Sequence, residues 1–325
     1  MIIIHWHGYP VCATRIDSLA KFGLPVKVFS EKPKVPFKDF KKQIFPPYYL
    51  GTEEDPEIVL KSDIEKIKLL IITGWAHRKW NNLAKKLKKK GVPIIMMVDN
   101  NLRYSFRQII GALYFRFFYK DLANYYLVAG NSSEKLLLFF GVNSSRIAHG
   151  YYGFSKQFFP NIEKEYFDKF RKEKNFVFVG QKIKRKGIDL LLKAFLEYKK
   201  EGGAWGLIII GHGPYKIPKN KHIIEKNFLQ PYEVREILIN NHVLLLPSLI
   251  EHWGTIVVEA MSCGMALGIS NQVGSKEDLL KQAINGFSFN AKSKHDLKKV
   301  LHKFSNLSEM QLLNMSKNSY YLSNL

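Results

Sequence analysis

Leu246-Pro247-Ser248-Leu249-Ile250-Glu251-His252-Trp253-Gly254-Thr255-Ile256-Val257-Val258-Glu259-Ala260-Met261 is the stretch that decides the reading of this chain. An apolar run ends at Leu246, a loop carries Glu251, and a helix is predicted from Thr255. A strand that hands over to a helix through such a loop is the unit of a parallel α/β sheet. The first amides of that helix, at Gly254, Thr255 and Ile256, have no partner within it and favour an anion. Glu259 lies over a turn into the helix, beside its apolar face. An unpaired carboxylate there is costly, so it needs a donor. Ligand hydroxyls would serve, and so would protein groups.

Two earlier turns have the same form. Phe178-Val179-Gly180-Gln181-Lys182-Ile183-Lys184-Arg185-Lys186-Gly187 ends a strand and gathers basic residues before a helix. That arrangement suits a phosphate or diphosphate, although alone it reads equally as an ordinary turn with solvated lysines. Gly211-His212-Gly213-Pro214 follows another apolar run. It lacks the third glycine and the acidic residue of a dinucleotide fingerprint, which argues against a nicotinamide enzyme. His212 reads as a loop residue.

The same rhythm runs outward in both directions. Strands are expected at Met1–His7, Val26–Phe29, Leu69–Thr73, Pro93–Val98 and Tyr125–Val128. Helices are expected at Thr14–Phe22, His77–Lys90, Leu102–Lys120 and Ser133–Phe140. Glu31–Pro56, rich in Pro and Lys, reads as an irregular excursion. The rhythm restarts with strands at Phe176–Gly180, Gly206–Ile210, His242–Leu246 and Ala266–Ile269. Helices there are expected at Gly187–Lys200, Tyr232–Asn240 and Thr255–Ser262. The fold class is therefore α/β, with two doubly wound Rossmann-like domains. The first spans 1–155, a linker 156–175, and the second 176–325, whose last helix could pack back on the first. Ligands of such sheets bind at the carboxyl ends of the strands.

Composition narrows the class. A chain of 325 residues with 46% hydrophobic content can fill two cores. Two cysteines rule out a disulfide framework. The N-terminal apolar run has neither the basic flank nor the small-residue cleavage site of a signal peptide. The sequence contains no apolar run long enough to span a bilayer. The formal net charge of +22 attracts polyanions, whether nucleic acid, anionic lipid or acidic glycan.

The spacing Glu251…Glu259 resembles the E-x7-E signature of retaining GT-B glycosyltransferases, particularly glycosyltransferase family 4 (group 1). Gly180 with Lys186-Gly187, the Gly211 turn, the helix Glu259-Ala260-Met261-Ser262-Cys263-Gly264 and the turn Asn285-Gly286-Phe287 resemble that family's motifs in order and spacing. Together they cover about residues 176–290. The first half resembles the family only in its rhythm.

The resemblance implies a GT-B fold, with its two domains facing a central cleft, and a retaining, metal-independent hexosyl transfer from a UDP- or GDP-sugar. Glu251 would contact the donor sugar, Glu259 the ribose, and Lys186 the diphosphate. Gly180, Gln181, Gly211, Trp253, Gly254, Thr255 and Ile256 would line the donor site, and backbone near Phe228 and Leu229 would read the base. No metal site and no cofactor are expected. The family usually has Arg where this chain has Gln181, so Lys182, Lys184 or Arg185 would have to compensate for the missing charge.

The first domain would supply the acceptor side, through the loop containing His7 and Gly8. Asp99, after another strand, is a candidate for the reacting sugar or acceptor, and equally for a helix N-cap. His5 and His7 share a strand face, but two histidines make a poor metal site. Leu102–Lys120 has four basic residues, none acidic, and many aromatics. It reads either as a buried helix or, with Lys85–Lys90, as peripheral contact with an anionic membrane. The expected setting is the cytoplasmic face of a membrane, with a glycan or lipid-linked acceptor in bacterial surface polysaccharide or lipopolysaccharide assembly. The competing readings are a nucleotide-sugar epimerase of the same fold and a basic nucleic-acid binder, which leaves Glu251 and Glu259 without a purpose.

Overall fold

The computed structural model describes all residues except 7–15, 17–18, 20–21, 33–35, 37–43, 52–53, 155, 157, 163–172 and 325. It divides into two compact units, Met1–Ser155 and Lys156–Leu325.

In the first unit seven parallel strands form one sheet in the order β3-β2-β1-β4-β5-β6-β7. They are β1 (Ile2–His5), β2 (Val26–Ser30), β3 (Pro47–Tyr49), β4 (Leu69–Thr73), β5 (Ile94–Val98), β6 (Tyr125–Val128) and β7 (Ile147–His149). The helices are α1 (Pro56–Val59), α2 (Arg78–Lys89), α3 (Phe106–Phe118) and α4 (Asn131–Phe139). Interior strands are near-continuous apolar runs because both faces are covered. Helix α2 has no acidic residue and many lysines, yet it buries Trp80, Leu83, Ala84 and Leu87. That spacing puts the four on one stripe against the sheet.

The second unit has six parallel strands in the order β10-β9-β8-β11-β12-β13. They are β8 (Asn175–Val179), β9 (Gly206–Ile210), β10 (Ile223–Lys226), β11 (Val243–Leu246), β12 (Ala266–Ser270) and β13 (Gly286–Phe289). Its helices are α5 (Ile188–Lys200), α6 (Pro231–Asn240), α7 (Thr255–Ser262), α8 (Lys276–Leu279), α9 (Lys294–Ser305) and α10 (Glu309–Ser323). Ile188, Leu191, Phe195 and Tyr198 of α5 are fully buried, as are Leu297, Leu301 and Phe304 of α9, and all belong to one core. The last helix, α10, packs on α7 and β12 of this same unit, and Ser316 Oγ donates to the Gly264 carbonyl at 2.5 Å.

Four strands were not expected: β3, β7, β10 and β13. They are the outermost strands of the two sheets. β3, β7 and β10 are largely exposed, so they lack the apolar run that reveals an interior strand, whereas β13 is mostly buried. β3 lies inside the segment read as an irregular excursion and starts on Pro47, a residue tolerated at an edge. β13 begins at Gly286, so the Asn-Gly turn leads into a strand. α3 begins at Phe106 rather than Leu102, because Ser105 caps it by accepting from the Gln108 amide. The expected helix at 14–22 lies largely outside the described residues.

Candidate donor site

The second sheet reverses direction between β8 and β11, where the chain returns beside its first strand. This is the switch point at which open α/β sheets bind ligands. The loop after β8 carries Lys186 and the loop after β11 carries Glu251. The two side chains meet there as an ion pair, with only 14% and 10% of their side-chain surfaces exposed. Ser248 Oγ also donates to Glu251 Oε2 at 3.1 Å. Ser248 is fully buried, and its carbonyl accepts from Ser270 Oγ at 2.6 Å. The Glu251 backbone is pinned on both sides: its amide donates to Gln272 O at 3.3 Å, and its carbonyl accepts from the Gly274 amide at 3.1 Å. The carboxylate is thus held by Lys186 from a distant loop and by Ser248 from its own loop, and nothing in the local pattern of residues marked Ser248 or Ser270 as supports of this site.

The two loops are joined through backbone. The Leu249 amide donates to Arg185 O at 2.9 Å, and the Arg185 guanidinium donates to Ile250 O at 2.9 Å. Gly187 is left-handed, with φ 70° and ψ 23°. A Cβ there would stand 2.0 Å from the Pro247 carbonyl oxygen. Gly187→Ala therefore combines backbone strain with a collision against main chain that has no room to move. It is expected to cost about 3 kcal/mol or more, read as a lowered thermal or urea midpoint. A variant as stable as the parent would contradict this packing.

The glycine turns after β8 and β9 press together. A Cβ on Gly211 would lie 2.0 Å from Gly180 O, and the Lys182 amide donates to His212 O at 2.7 Å. The His212 ring stands 6.5 Å from that of Phe228, so Phe228 and Leu229 lie beside the Gly211 turn. Among the residues expected to compensate for Gln181, Lys182 is buried and ion-paired with Glu225, and Arg185 serves the backbone contacts above. Lys184 is exposed, as is Gln181. Lys182 and Arg185 thus hold the loops together, which leaves Lys184 as the candidate cation.

Gly254, at φ 84°, caps α7. The amides of Gly254, Thr255 and Ile256 donate to no acceptor among the described residues, whereas Val257 N bonds Gly254 O at 2.9 Å. Three amides are thereby left at the mouth of the switch point. Glu259, one helical step further, is half-buried. Its carboxylate makes no hydrogen bond or ion pair among the described residues, and burial pushes its pKa up to about 7. A polar group kept at that cost is suited to ligand hydroxyls.

In the first unit the comparable switch point lies between β1 and β4. Thr73 Oγ1 donates to His5 O across it at 2.9 Å. The His5 ring stacks on Trp80 and meets His77 edge-on, both at 4.6 Å between centroids. His77 was not singled out in the sequence, since β4 gives no cue to what its following loop reaches. The expected acceptor residues His7 and Gly8 lie outside the described residues. Asp99 accepts from the Tyr152 hydroxyl at 2.8 Å. It caps no helix, because Ser105 does so for α3. No group of three or more His, Cys, Asp or Glu among the described residues is placed to hold a metal ion.

Residues 161–320 match the model of the family described as Glycosyl transferases group 1. The chain is 31% identical over 122 residues to the phosphatidylinositol N-acetylglucosaminyltransferase gpi3 subunit of Schizosaccharomyces pombe, covering 34% of this chain and 26% of that one. It is 26% identical over 123 residues to an uncharacterized glycosyltransferase of Methanocaldococcus jannaschii, covering 35% and 31%. The matched stretch thus spans under a third of these curated relatives. Among solved structures, Anabaena HepE in complex with UDP-glucose superposes with a TM-score of 0.75 at 13% identity, over 99% of this chain and 94% of that one. WaaG, a glycosyltransferase involved in lipopolysaccharide biosynthesis, gives 0.63 at 12% identity, over 100% and 95%. The fold is GT-B, built from two parallel-sheet Rossmann-like units. Fold and family match together support a glycosyltransferase using a sugar donor.

Proposed function

We propose that the chain is a retaining glycosyltransferase that moves a sugar from a UDP- or GDP-sugar to a glycan or lipid-linked acceptor. The observation that carries this reading is the cluster at the second switch point. Glu251, three open amides and the unpartnered Glu259 carboxylate lie along one strand–loop–helix unit, and Lys186 reaches Glu251 from the loop after β8. Such a cluster has a cation and amides for a diphosphate, one carboxylate for sugar hydroxyls and another for ribose hydroxyls. In the transfer, the bond from the anomeric carbon to the diphosphate oxygen breaks. The acceptor oxygen bonds to that carbon on the same face, and its proton passes to the departing phosphate. Lys186 and the amides stabilise the charge that develops on the leaving diphosphate.

Lipid acceptors are favoured by two neighbours: one is named for phosphatidylinositol, the other for lipopolysaccharide biosynthesis. No helix among the described residues is long and apolar enough to cross a membrane. We therefore place the enzyme peripherally on an anionic, cytoplasmic membrane face, in surface polysaccharide or lipopolysaccharide assembly. The test is incubation of a nucleotide-sugar panel with a glycolipid acceptor. Release of nucleoside diphosphate with an unchanged anomeric configuration in the product supports the reading. An inverted linkage, or an epimerised sugar released without acceptor, would overturn it. Activity is also expected to survive chelation, since protein groups carry the diphosphate charge. Loss on chelation with recovery on magnesium or manganese would contradict that.

A further inference from the structure

We propose that the outward face of α3 is a docking surface for an anionic lipid bilayer. The proposal rests on the reading of a membrane-bound acceptor and gives that contact a place in the fold. Helix α3 is apolar on both sides. Ala112 and Phe115 face the core, 5% and 1% exposed. On the opposite side Phe106, Ile110, Leu113 and Phe117 follow one another at helical spacing and are 76%, 55%, 55% and 82% exposed. Tyr104 and Tyr114 extend the same surface at 72% and 54%. A helix apolar all round is normally buried on every side, and contiguous apolar surface of this extent marks an interaction site.

Charge identifies the occupant. Neither α3 nor the adjoining α2 carries an acidic residue. Arg107 is exposed on one flank of the apolar row. Lys85 Nζ lies 5.8 Å over the Tyr119 ring at the end of α3, which brings the lysine-rich helix alongside it. The cations are fewer than the sequence promised. Arg103 is half-buried, and Arg116 donates to the Phe139 and Phe140 carbonyls at 3.1 and 3.2 Å. Lys86 and Lys90 are paired with Glu57 and Glu65, so Arg107 and Lys85 are the cations beside the apolar row, an arrangement that suits aromatic side chains at the acyl boundary and cations among anionic headgroups. A second copy meeting this face about a two-fold axis would set the same cations against each other.

Co-sedimentation of the full chain with phosphatidylcholine vesicles, with and without phosphatidylglycerol, tests the assignment. The parent should bind only the anionic vesicles and release in high salt. The double substitution Phe106→Asp with Phe117→Asp should lower partitioning about 100-fold or more, roughly tenfold or more for each phenylalanine withdrawn. Its melting curve and its binding of nucleoside diphosphates should be unchanged. Met310→Asp, at an exposed site in the second unit, should bind vesicles like the parent. Equal partitioning of the double variant and the parent would overturn the proposal. So would a dimer in sedimentation velocity that the double substitution dissolves while neither protein binds vesicles. Nucleotide sugars that fail to bind any of these proteins would count against the transferase reading, while vesicle binding still reports on α3.

Discussion

Lys186→Ala is expected to lower kcat by about 10²–10³-fold, the range for removing one preorganised group from a developing negative charge. The same substitution should weaken nucleoside diphosphate binding far more than nucleoside binding, because the cation answers the phosphates. Stability should fall too. Glu251 is nine-tenths buried in its side chain, and removing Lys186 takes away the cation paired with that buried carboxylate. Breaking such a pair costs about 3 kcal/mol. Pairing Lys186→Met with Glu251→Gln should recover part of that stability, since no lone charge is left, while activity stays low. Rates are compared per folded molecule, so the two effects separate. Equal losses of nucleoside and nucleoside diphosphate affinity would remove Lys186 from the diphosphate, and a double variant no more stable than Lys186→Ala would deny the coupling.

Glu259→Ala should reduce donor affinity by about 1.5–3 kcal/mol, the range for hydrogen bonds to a charged group. The ligand that isolates this effect is the 2′,3′-dideoxy form of the nucleotide. It should bind the parent as weakly as the ribose form binds the variant. The raised pKa adds a pH signature. The unfolded chain loses this proton near the ordinary value of 4.5, and the folded protein keeps it to about 7. The stability this group contributes is thus fully present below the lower value and is lost as pH rises through the upper one. Ribose hydroxyls donate to the ionised form, so binding of a nucleotide sugar should tighten as pH rises towards and past 7. Glu259→Gln should flatten both profiles. Affinity that is flat with pH in the parent would remove Glu259 from the ribose.

Much of this architecture was visible in residue order. Interior strands such as Val243–Leu246 are apolar runs because both faces of their sheet are covered, and the E-x7-E spacing marks one strand–loop–helix unit. The edge strands Pro47–Tyr49, Ile147–His149 and Ile223–Lys226 were not visible, for each has one side open to solvent. Pairings across long separations were hidden as well. Nothing in the sequence foretells that Lys182 is taken by Glu225, or that Ser270 holds the Ser248 carbonyl. The same holds for His77 meeting His5, a contact set by the order of strands in the sheet. Helix α3 defeated periodicity for another reason: with apolar residues on both sides, its pattern does not say which side is covered.

We propose that the second switch point binds a nucleoside diphosphate sugar through Lys186, Glu251 and Glu259. Titration calorimetry on the parent and on Glu259→Ala, with a panel of UDP- and GDP-sugars, tests it most directly. At least one of these donors should bind the parent, and the same donor should bind the variant about ten- to 100-fold more weakly. A parent that binds none of them, or a folded variant that binds the donor as tightly as the parent, would contradict it.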